Sequence, residues 1–395
     1  MRRIMIISFC FPPDVSGGSF NIESIANELS RNNDVLVVVT NWYHTEKSGL
    51  QVINNHLRVI QLNHNKVLVF LYKVLRKLSL ICKSDRLHWL SELVMAYTYK
   101  TTIKMAKEFK PDTVITSCYP FANHINGRKI KENTGVKWIA YYLDPFFCSE
   151  NDIFYRKRWA ANKEKQLIKE ADRIVILRWM RETYNEYSVL PSNKLRCIDL
   201  PVKRIEGVSK EYNNKHLYLV YIGTVYKGLR SPIVLFEFIK KLKEYMPFKI
   251  TLIMIGKISG YNMNDVHIWE EEYKDFFRYQ GVVEHDQLID YYKMADALIS
   301  IGNTNRTQMP SKVFEYMGVG KPIIHLSKID DCPVQKELEK YPLALCIKES
   351  EINNLNYDEI RDKITELVQK PVLTSEDYDS ILKQYTIAEI AKVFL

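Results

Sequence analysis

The sequence lacks several features that would assign it to a familiar class of protein. It has only 14 glycines in 395 residues, and none of them completes a GxGxxG fingerprint, which argues against a nicotinamide cofactor. Its seven cysteines are odd in number and scattered without a CxxC pair, so no zinc site is implied and a reducing cytoplasm is the expected compartment. No apolar run approaches the roughly 20 residues that span a bilayer. The short run before Pro12 and Pro13 predicts a first strand rather than a signal peptide.

Acidic residues are scarce in the first half of the chain. Residues 1–210 carry 33 Lys and Arg against 20 Asp and Glu, whereas the remainder carries 23 against 27. A basic first half favours an acidic partner, which leaves nucleic acid, a phosphate-bearing substrate and anionic lipid open. The length is sufficient for two domains with separate cores.

The segment 303–326, NTNRTQMPSKVFEYMGVGKPIIHL, connects two apolar runs that read as buried strands. It contains a polar loop, then Pro310 and Ser311, and a helical pattern that begins at Lys312 and ends at glycine. A loop that leads into a helix presents backbone N–H groups and the positive end of the helix dipole. Lys312 adds a full charge, and Glu315 lies one turn deeper, where it is placed to accept from a diol. The pattern favours a nucleotide-sugar site, and an ordinary strand-to-helix turn is the alternative.

This segment resembles the donor-binding segment of GT-B glycosyltransferases, specifically glycosyltransferase family 4. The resemblance implies an α/β fold of two Rossmann-like domains, with parallel sheets facing a central cleft. It also implies that Glu315 holds the nucleotide ribose. The family carries a second glutamate eight positions earlier, where this chain has Thr307, so the contact to the donor sugar departs from the family pattern.

The first domain of the expected fold supplies further candidate residues. Gly17 and Gly18 precede a predicted helix after the first strand, so that backbone can approach a ligand there. The resemblance places this loop near the donor phosphates and the acceptor, and a tight turn is the alternative. It also leads us to expect a histidine after the strand 111–116, where the chain has Cys118, with His124 as a substitute or as a structural residue. Asp144 follows the strand 136–143 and is the candidate base for an acceptor hydroxyl, although it is equally placed to cap a helix.

The second domain repeats the pattern of a strand, a glycine and cations before a helix. Gly223 follows the strand 217–222, and Lys227 and Arg230 come before a helix predicted near residue 231. This arrangement is typical of anion binding. The resemblance assigns a basic pair here to the donor diphosphate, and Arg230 suits it best because its fork can bind two oxygens. In relatives the backbone near Val283 meets the nucleobase.

The stretch 66–89 interleaves basic with apolar and aromatic residues. Such a helix can lie in the interface of an anionic membrane, and the alternative is two ordinary helices with solvated lysines. The stretch 92–110 has routine helical spacing. Nucleic acid is disfavoured as the partner because no recognised binding module is present.

The predicted organisation has an acceptor domain at 1–205, a linker at 206–216, a donor domain at 217–374 and a C-terminal helix at 375–395 that packs on the first domain. The predicted activity is transfer of a sugar from a nucleotide-diphosphate donor to an acceptor, without a metal or a cofactor. The expected acceptor is a polyprenyl-linked glycan of bacterial surface polysaccharide, at the cytoplasmic face of the inner membrane. A nucleotide-sugar epimerase and a non-catalytic partner subunit are the alternatives. Asp377 and Asp379 form a DxD pattern that we interpret as charge at a helix start rather than a metal site.

Overall fold

The computed structural model describes residues 1–14, 16–41, 50–148, 156–187, 189–209, 215–306 and 308–395. The chain divides into two units: the first contains Met1–Pro201 and Gln384–Leu395, and the second contains Val202–Lys383. The predicted linker at 206–216 includes residues 210–214, which lie outside the described residues. The predicted α/β class with largely parallel sheets is confirmed.

The first unit is built on one eight-stranded sheet. Its strands are β1 (Arg3–Ser8), β2 (Asp34–Val39), β3 (Leu50–Asn54), β4 (Leu57–Gln61), β5 (Thr113–Cys118), β6 (Lys137–Tyr142), β7 (Arg173–Leu177) and β8 (Leu195–Ile198). Its helices include α1 (Gly17–Ser30), α2 (Lys66–Ile81), α3 (Asp85–Met95), α4 (Tyr99–Phe109), α5 (Ala122–Thr134), α6 (Lys157–Ile168) and α7 (Arg181–Glu186). The strand order is β3-β4-β2-β1-β5-β6-β7-β8, and only the pair β3 and β4 is antiparallel among the described strands.

The second unit is built on a six-stranded parallel sheet and a two-stranded ribbon. Its strands are β9 (His216–Ile222), β10 (Val225–Tyr226), β11 (Lys249–Ile255), β12 (Ile258–Ser259), β13 (Phe277–Gly281), β14 (Ala297–Ile301), β15 (Ile323–Ser327) and β16 (Ala344–Lys348). Its helices are α8 (Ile233–Tyr245), α9 (Met263–Glu272), α10 (Leu288–Met294), α11 (Lys312–Val319), α12 (Pro333–Leu338), α13 (Tyr357–Gln369) and α14 (Ser375–Ile381). The main order is β13-β11-β9-β14-β15-β16, and β10 pairs with β12.

The central strands are buried because helices cover the sheets. Ile4, Met5, Ile6 and Ile7 of β1 are each at most 1% exposed. A parallel strand that is buried on both faces needs a continuous apolar run rather than an alternating one. These runs are the signal from which the strands were predicted. No helix among the described residues is long and apolar enough to cross a membrane.

The segment 375–395 is not the single helix that was predicted. It contains α14, a short 3-10 turn at 383–385 and α15 (Ile387–Lys392). Helix α14 belongs to the second unit, whereas the segment with α15 belongs to the first, where the ring of Phe394 lies 5.1 Å from that of Tyr141. Arg2 and Lys137 donate hydrogen bonds to the carbonyl oxygen of Leu395. These contacts, like that of Phe394, hold the end of the segment on the first unit.

The last turn of α11 holds the two segments by which the chain enters and leaves the second unit. The N–H of Ile205 and the hydroxyl of Tyr378 both donate to the carbonyl oxygen of Gly318, at 2.8 and 2.6 Å. The N–H of Leu373 donates to the carbonyl oxygen of Gly320 at 3.0 Å. Glycine is required at 318 because a Cβ there would lie 2.1 Å from a carbonyl oxygen of the entering segment.

Candidate functional site

The sheet of the second unit reverses its winding direction between β9 and β14. From β9 the chain adds β11 and β13 on one side, and it then returns to add β14, β15 and β16 on the other. Loops at such a switch point diverge at the carboxyl ends of the strands and leave a crevice, where α/β proteins bind ligands. The loop from Gly223 to Arg230 follows β9, and the loop that leads to α11 follows β14. Both predicted anion-binding loops therefore meet at one place.

Arg230 is the best-anchored cation at this switch point. Its Nε and Nη2 donate to Oδ1 of Asn303 at 3.0 and 2.8 Å, and its Nη1 donates to the carbonyl oxygen of Thr224 at 3.2 Å. Asn303 is 4% exposed and donates through Nδ2 to the carbonyl oxygen of Gln308 at 2.9 Å. A guanidinium whose three nitrogens each donate a hydrogen bond is pre-oriented and presents its remaining N–H groups in a fixed direction.

Lys227, the other predicted diphosphate cation, is held differently. It lies in the same turn, but its ammonium lies over the ring of Tyr261, 5.3 Å from the centroid. The residue is exposed. The structure therefore brings Arg230, but not the head group of Lys227, into contact with the loop after β14.

The start of α11 carries the predicted Lys312 and Glu315, and the structure pairs them. The Nζ of Lys312 lies 2.5 Å from Oε2 of Glu315, and both side chains are about three-tenths exposed. The hydroxyl of Tyr292, on α10, donates to Oε1 of the same carboxylate at 2.5 Å. Pro310 is buried, whereas Ser311 is the exposed N-cap residue, and its side chain makes no capping hydrogen bond. The N-terminal end of α11 therefore presents backbone, one cation and one carboxylate together.

Glycines end three neighbouring strands at this edge. Gly223, Gly256 and Gly281 follow or end β9, β11 and β13, and the N–H of Gly223 donates to the carbonyl oxygen of Ile255 at 2.9 Å. Gly256 has φ +125°, and a Cβ on it would lie 2.2 Å from the carbonyl oxygen of Gly223. Backbone therefore replaces side chains along the floor of the crevice. Val283 lies half-buried just beyond β13, and the predicted Thr307 lies outside the described residues.

The first unit has its own switch point, between β1 and β5. A Cβ on Gly18 would lie 3.2 Å from the Sγ of Cys10 and 3.7 Å from Leu143, so the loop after β1 packs on the end of β6. Gly17 is exposed at the start of α1. The carbonyl oxygen of Cys118 accepts from the N–H groups of Leu143 and Asp144 at 2.9 and 3.3 Å. The structure therefore brings Gly18, the backbone of Cys118 and Asp144 together.

Asp144 lies at the edge of this cluster. The residue is exposed, yet protein atoms crowd its carboxyl, and the lost hydration raises its pKa. Its charge also contributes to the raised pKa of the neighbouring Cys10 thiol, whose main cause is burial. No helix begins at 145–148, and the next described helix begins at Lys157 with Arg156 as its N-cap. Asp144 therefore caps no helix within the described residues.

His124 and the thiol of Cys118 are enclosed rather than open to a ligand. Both residues are 0% exposed. The hydroxyl of Thr116 accepts from Trp138 Nε1 at 2.8 Å and shares a second hydrogen bond with His124 Nδ1, also at 2.8 Å. Burial lowers the pKa of His124 to about 3. In this conformation the imidazole has no surface with which to contact a sugar.

A carboxyl group that the sequence did not reveal is buried nearby. Glu164 of α6 is 0% exposed and accepts from the N–H of Phe147 through Oε2 at 3.2 Å. Burial raises its pKa to about 7, and the nearby Tyr142 and Tyr184 only partly offset this. A carboxyl group whose pKa is raised by folding stabilises the protein below its unfolded pKa, and that contribution is lost as the pH rises through the folded pKa.

We therefore expect Glu164→Gln to be more stable than the wild type at pH 8 by up to about 3 kcal/mol, with the difference vanishing near pH 4. The physical reason is that the neutral amide avoids burying a charge. Urea unfolding of both proteins at the two pH values measures the effect. The lowered pKa of His124 changes stability with pH in the opposite direction, but it does so equally in both proteins and cancels in the difference. An equal pH dependence of stability in the two proteins would contradict it.

The DxD pattern lies at the start of α14. Asp377 accepts from the N–H of Thr374 at 2.7 Å in a capping box at the start of α14, so the interpretation of the DxD pattern as helix-start charge is confirmed. Among the described residues, no group of three or more His, Cys, Asp or Glu side chains is arranged to hold a metal ion.

Sequence reasoning missed Asn303 and Tyr292. Asn303 is the second residue after β14 at the carboxyl edge, and this position was sufficient to mark it as a candidate. Tyr292 gave no such signal, since it lies on another helix and reaches Glu315 only through the packing of α10.

Structures that share this architecture come from proteins with little sequence identity to this chain. The sucrose-phosphate synthase of Thermosynechococcus elongatus aligns with a TM-score of 0.67 at 13% identity, over 99% of this chain and 97% of that protein. The lipopolysaccharide outer core galactosyltransferase WaaB gives 0.64 at 12% identity, over 99% and 98%. A trehalose-6-phosphate structure from E. coli with UDP-2-fluoro glucose bound gives 0.65 at 11%, over 99% and 98%. No family model matches the sequence, and no curated protein matches it at a significant level. These similarities show that the chain has the GT-B fold.

Proposed function

We propose that this protein is a metal-independent glycosyltransferase that takes its sugar from a nucleotide-diphosphate donor. The observation that carries the proposal is the convergence of Arg230, Lys312 and Glu315 at the switch point of the second unit. Two cations and a helix N-terminus suit a diphosphate, and a carboxylate one turn away suits a ribose diol. Cations aimed at the leaving diphosphate stabilise the charge that develops there, which is the task a metal performs in other enzymes.

The family of the proposed enzyme is glycosyltransferase family 4. The motif 310–322 and the position of Glu315 support this assignment. The UDP-2-fluoro glucose in one similar structure supports a UDP-sugar as one candidate donor. Gly223, Val283 and Thr307 complete the proposed donor site, with Lys227 at its rim.

The proposed acceptor site lies in the first unit. Asp144 is the proposed base that removes a proton from the attacking hydroxyl, because its raised pKa brings it closer to neutrality. Gly17 and the backbone of Cys118 are the proposed lining of the acceptor site. The enclosure of His124 and of the Cys118 thiol supports a structural role for these two side chains.

Helix α2 supports a membrane as the surface on which the acceptor is presented. Of its 16 residues only Tyr72, Leu75 and Ser79 are buried. On another face, Val67 and Phe70 are 70% and 69% exposed. The exposed apolar stripe continues at helical spacing through Leu71, Leu78 and Ile81. Three exposed lysines follow the stripe along the helix: Lys66, Lys73 and Lys77.

An apolar stripe beside lysines fits the boundary between acyl chains and anionic headgroups. The proposed acceptor is accordingly a polyprenyl-linked glycan at the cytoplasmic face of a bacterial inner membrane, as in surface-polysaccharide assembly. The similarity to WaaB, a lipopolysaccharide galactosyltransferase, supports this setting. An epimerase needs no such surface, so α2 favours the transferase.

The activity is tested with UDP-, GDP- and TDP-sugars, each with and without a polyprenyl-diphosphate sugar. Release of nucleoside diphosphate that depends on the acceptor supports the proposal. An isomerised sugar nucleotide identifies an epimerase instead, and neither product identifies a binding subunit.

The membrane contact is tested by replacing Lys66, Lys73 and Lys77 with glutamine. We expect loss of most sedimentation with vesicles that contain anionic lipid, because each surface lysine contributes about 1 kcal/mol of attraction. The matched control removes the same charge from α4 and the residue after it, at the exposed Lys104, Lys107 and Lys110 of the same unit. Arg76 is left unchanged because it contacts the ring of His88 at 2.6 Å. Equal sedimentation of both triple variants would contradict the assignment.

A further inference from the structure

Both carboxylate oxygens of Glu315 are already engaged by side chains of this chain. Tyr292 donates to Oε1 and Lys312 to Oε2, each at 2.5 Å. A ribose diol is bound best when its two hydroxyls reach both oxygens of one carboxylate. The ammonium of Lys312 stands at one of those two oxygens. Each carboxylate oxygen can accept a second hydrogen bond, but the ammonium draws charge from Oε2, so the paired carboxylate is a weaker acceptor for a ribose than a free one.

The two partners of Glu315 differ in how firmly they are held. Tyr292 is 2% exposed, so its ring is fixed by packing against the unit's interior. Lys312 and Glu315 are 30% and 27% exposed, and pairs with this much solvent contact are weak. Lys312 is also the first residue of α11, beside the N–H groups to which a phosphate would bind. A diphosphate offers this lysine more negative charge than Glu315 does.

We infer that a nucleoside diphosphate binds by a partner exchange, in which Lys312 leaves Glu315 for the phosphates and so frees Oε2 for the ribose. Tyr292 keeps its hydrogen bond to Oε1 throughout and acts as a positioning residue for the carboxylate. The inference rests on the proposed function and adds a specificity element to it. The lysine weakens the ribose carboxylate as an acceptor until phosphate is present, so the site discriminates against nucleosides.

The exchange predicts that one substitution changes the affinity for diphosphates and the affinity for nucleosides in opposite directions. Lys312→Gln should weaken binding of UDP or GDP by about 10- to 100-fold, because a charge-assisted contact to phosphate is lost. The same variant should bind uridine or guanosine about threefold to fivefold more tightly than the wild type, because Glu315 is no longer paired. The control is Lys340→Gln, which removes another lysine that pairs with a glutamate three residues away in this unit, at 3.2 Å.

Tyr292→Phe separates positioning from general stability. The variant should weaken UDP or GDP binding by about 5- to 30-fold and leave binding of the 2′,3′-dideoxy diphosphate unchanged, because only the ribose hydroxyls contact Glu315. The neighbouring Tyr291→Phe serves as the matched control. Equal weakening toward both nucleotides would overturn the positioning role.

Titration calorimetry for the diphosphates and ligand-observed NMR for the nucleosides give the affinities. Tighter nucleoside binding together with weaker diphosphate binding in Lys312→Gln supports the exchange. If the wild type binds the diphosphates but Lys312→Gln binds the nucleosides no more tightly than the wild type does, the exchange is overturned and the proposed function is not. A wild-type protein that binds neither UDP nor GDP nor TDP overturns the proposed function as well.

Discussion

Replacing Arg230 with methionine is expected to lower kcat/KM for the nucleotide sugar by about 100-fold or more. The guanidinium is held by three hydrogen bonds to Asn303 and Thr224, which orient it at the switch point. Methionine keeps much of the side-chain volume and removes the charge that would neutralise the leaving diphosphate. Arg230→Lys should recover only part of the loss, because a lysine keeps the charge and loses the fork. Initial rates over a range of donor concentrations measure both variants.

The matched control for this prediction is Arg278→Met. Arg278 lies in the same unit, where it donates to the carbonyl oxygens of Lys274 and Phe277, away from the loops after β9 and β14. Its replacement should change kcat/KM by less than about threefold. If Arg230→Met binds the nucleoside diphosphate as tightly as the wild type does, Arg230 is not part of the donor site.

Replacing Asp144 with asparagine is expected to lower kcat by about 100- to 10,000-fold while donor affinity stays near that of the wild type. The amide cannot accept the proton of the acceptor hydroxyl. Because crowding raises the pKa of Asp144, the wild-type rate should fall, as the pH is lowered, at a higher pH than for a solvated aspartate. The residual rate of Asp144→Asn should not show this fall at low pH. The measurement combines turnover rates from pH 5 to 9 with a titration of donor binding.

Asp14 provides the comparison for Asp144. It lies in the loop after β1, accepts from Asn41 Nδ2 at 2.9 Å, and also contributes to the raised pKa of Cys10. Asp14→Asn should keep most of the turnover, and its rate should fall at low pH as that of the wild type does. A large loss in this variant, with normal turnover in Asp144→Asn, would move the base to Asp14. Loss of folding in Asp144→Asn would assign a structural role instead.

Most of the parallel strands could be predicted from the sequence because burial on both faces leaves an unbroken apolar run. The run predicted at 136–143 corresponds to β6, and that at 217–222 to β9, each within one residue at either end. The pair β3 and β4 was not predicted. Leu50 and Val52 of β3 are 58% and 66% exposed, so apolar residues there do not mark a core face. Their pairing is set by contacts that no local pattern contains.

The position of the candidate site was easier to predict than its contacts. Parallel strands end at a common edge, so a glycine or a charge just after a strand falls near its counterparts from other strands. That rule was sufficient for Gly223, Arg230 and Asp144. The direction of a long side chain follows no such rule, and Lys227 rests on Tyr261. The burial of a side chain at the end of a strand is equally hidden, as the enclosure of Cys118 at the end of β5 illustrates.

The final turn of α11 has a consequence for how the second unit opens. The amides of Ile205 and Leu373 are bonded to carbonyl groups of Gly318 and Gly320, one on each chain segment that borders the unit. Opening this turn breaks both attachments together, so the two amides belong to one cooperative subglobal unit and share one opening free energy in hydrogen exchange. The N-terminal end of the same helix carries Lys312. A ligand held there would therefore slow the exchange of amides at the far end, because it binds only the closed helix.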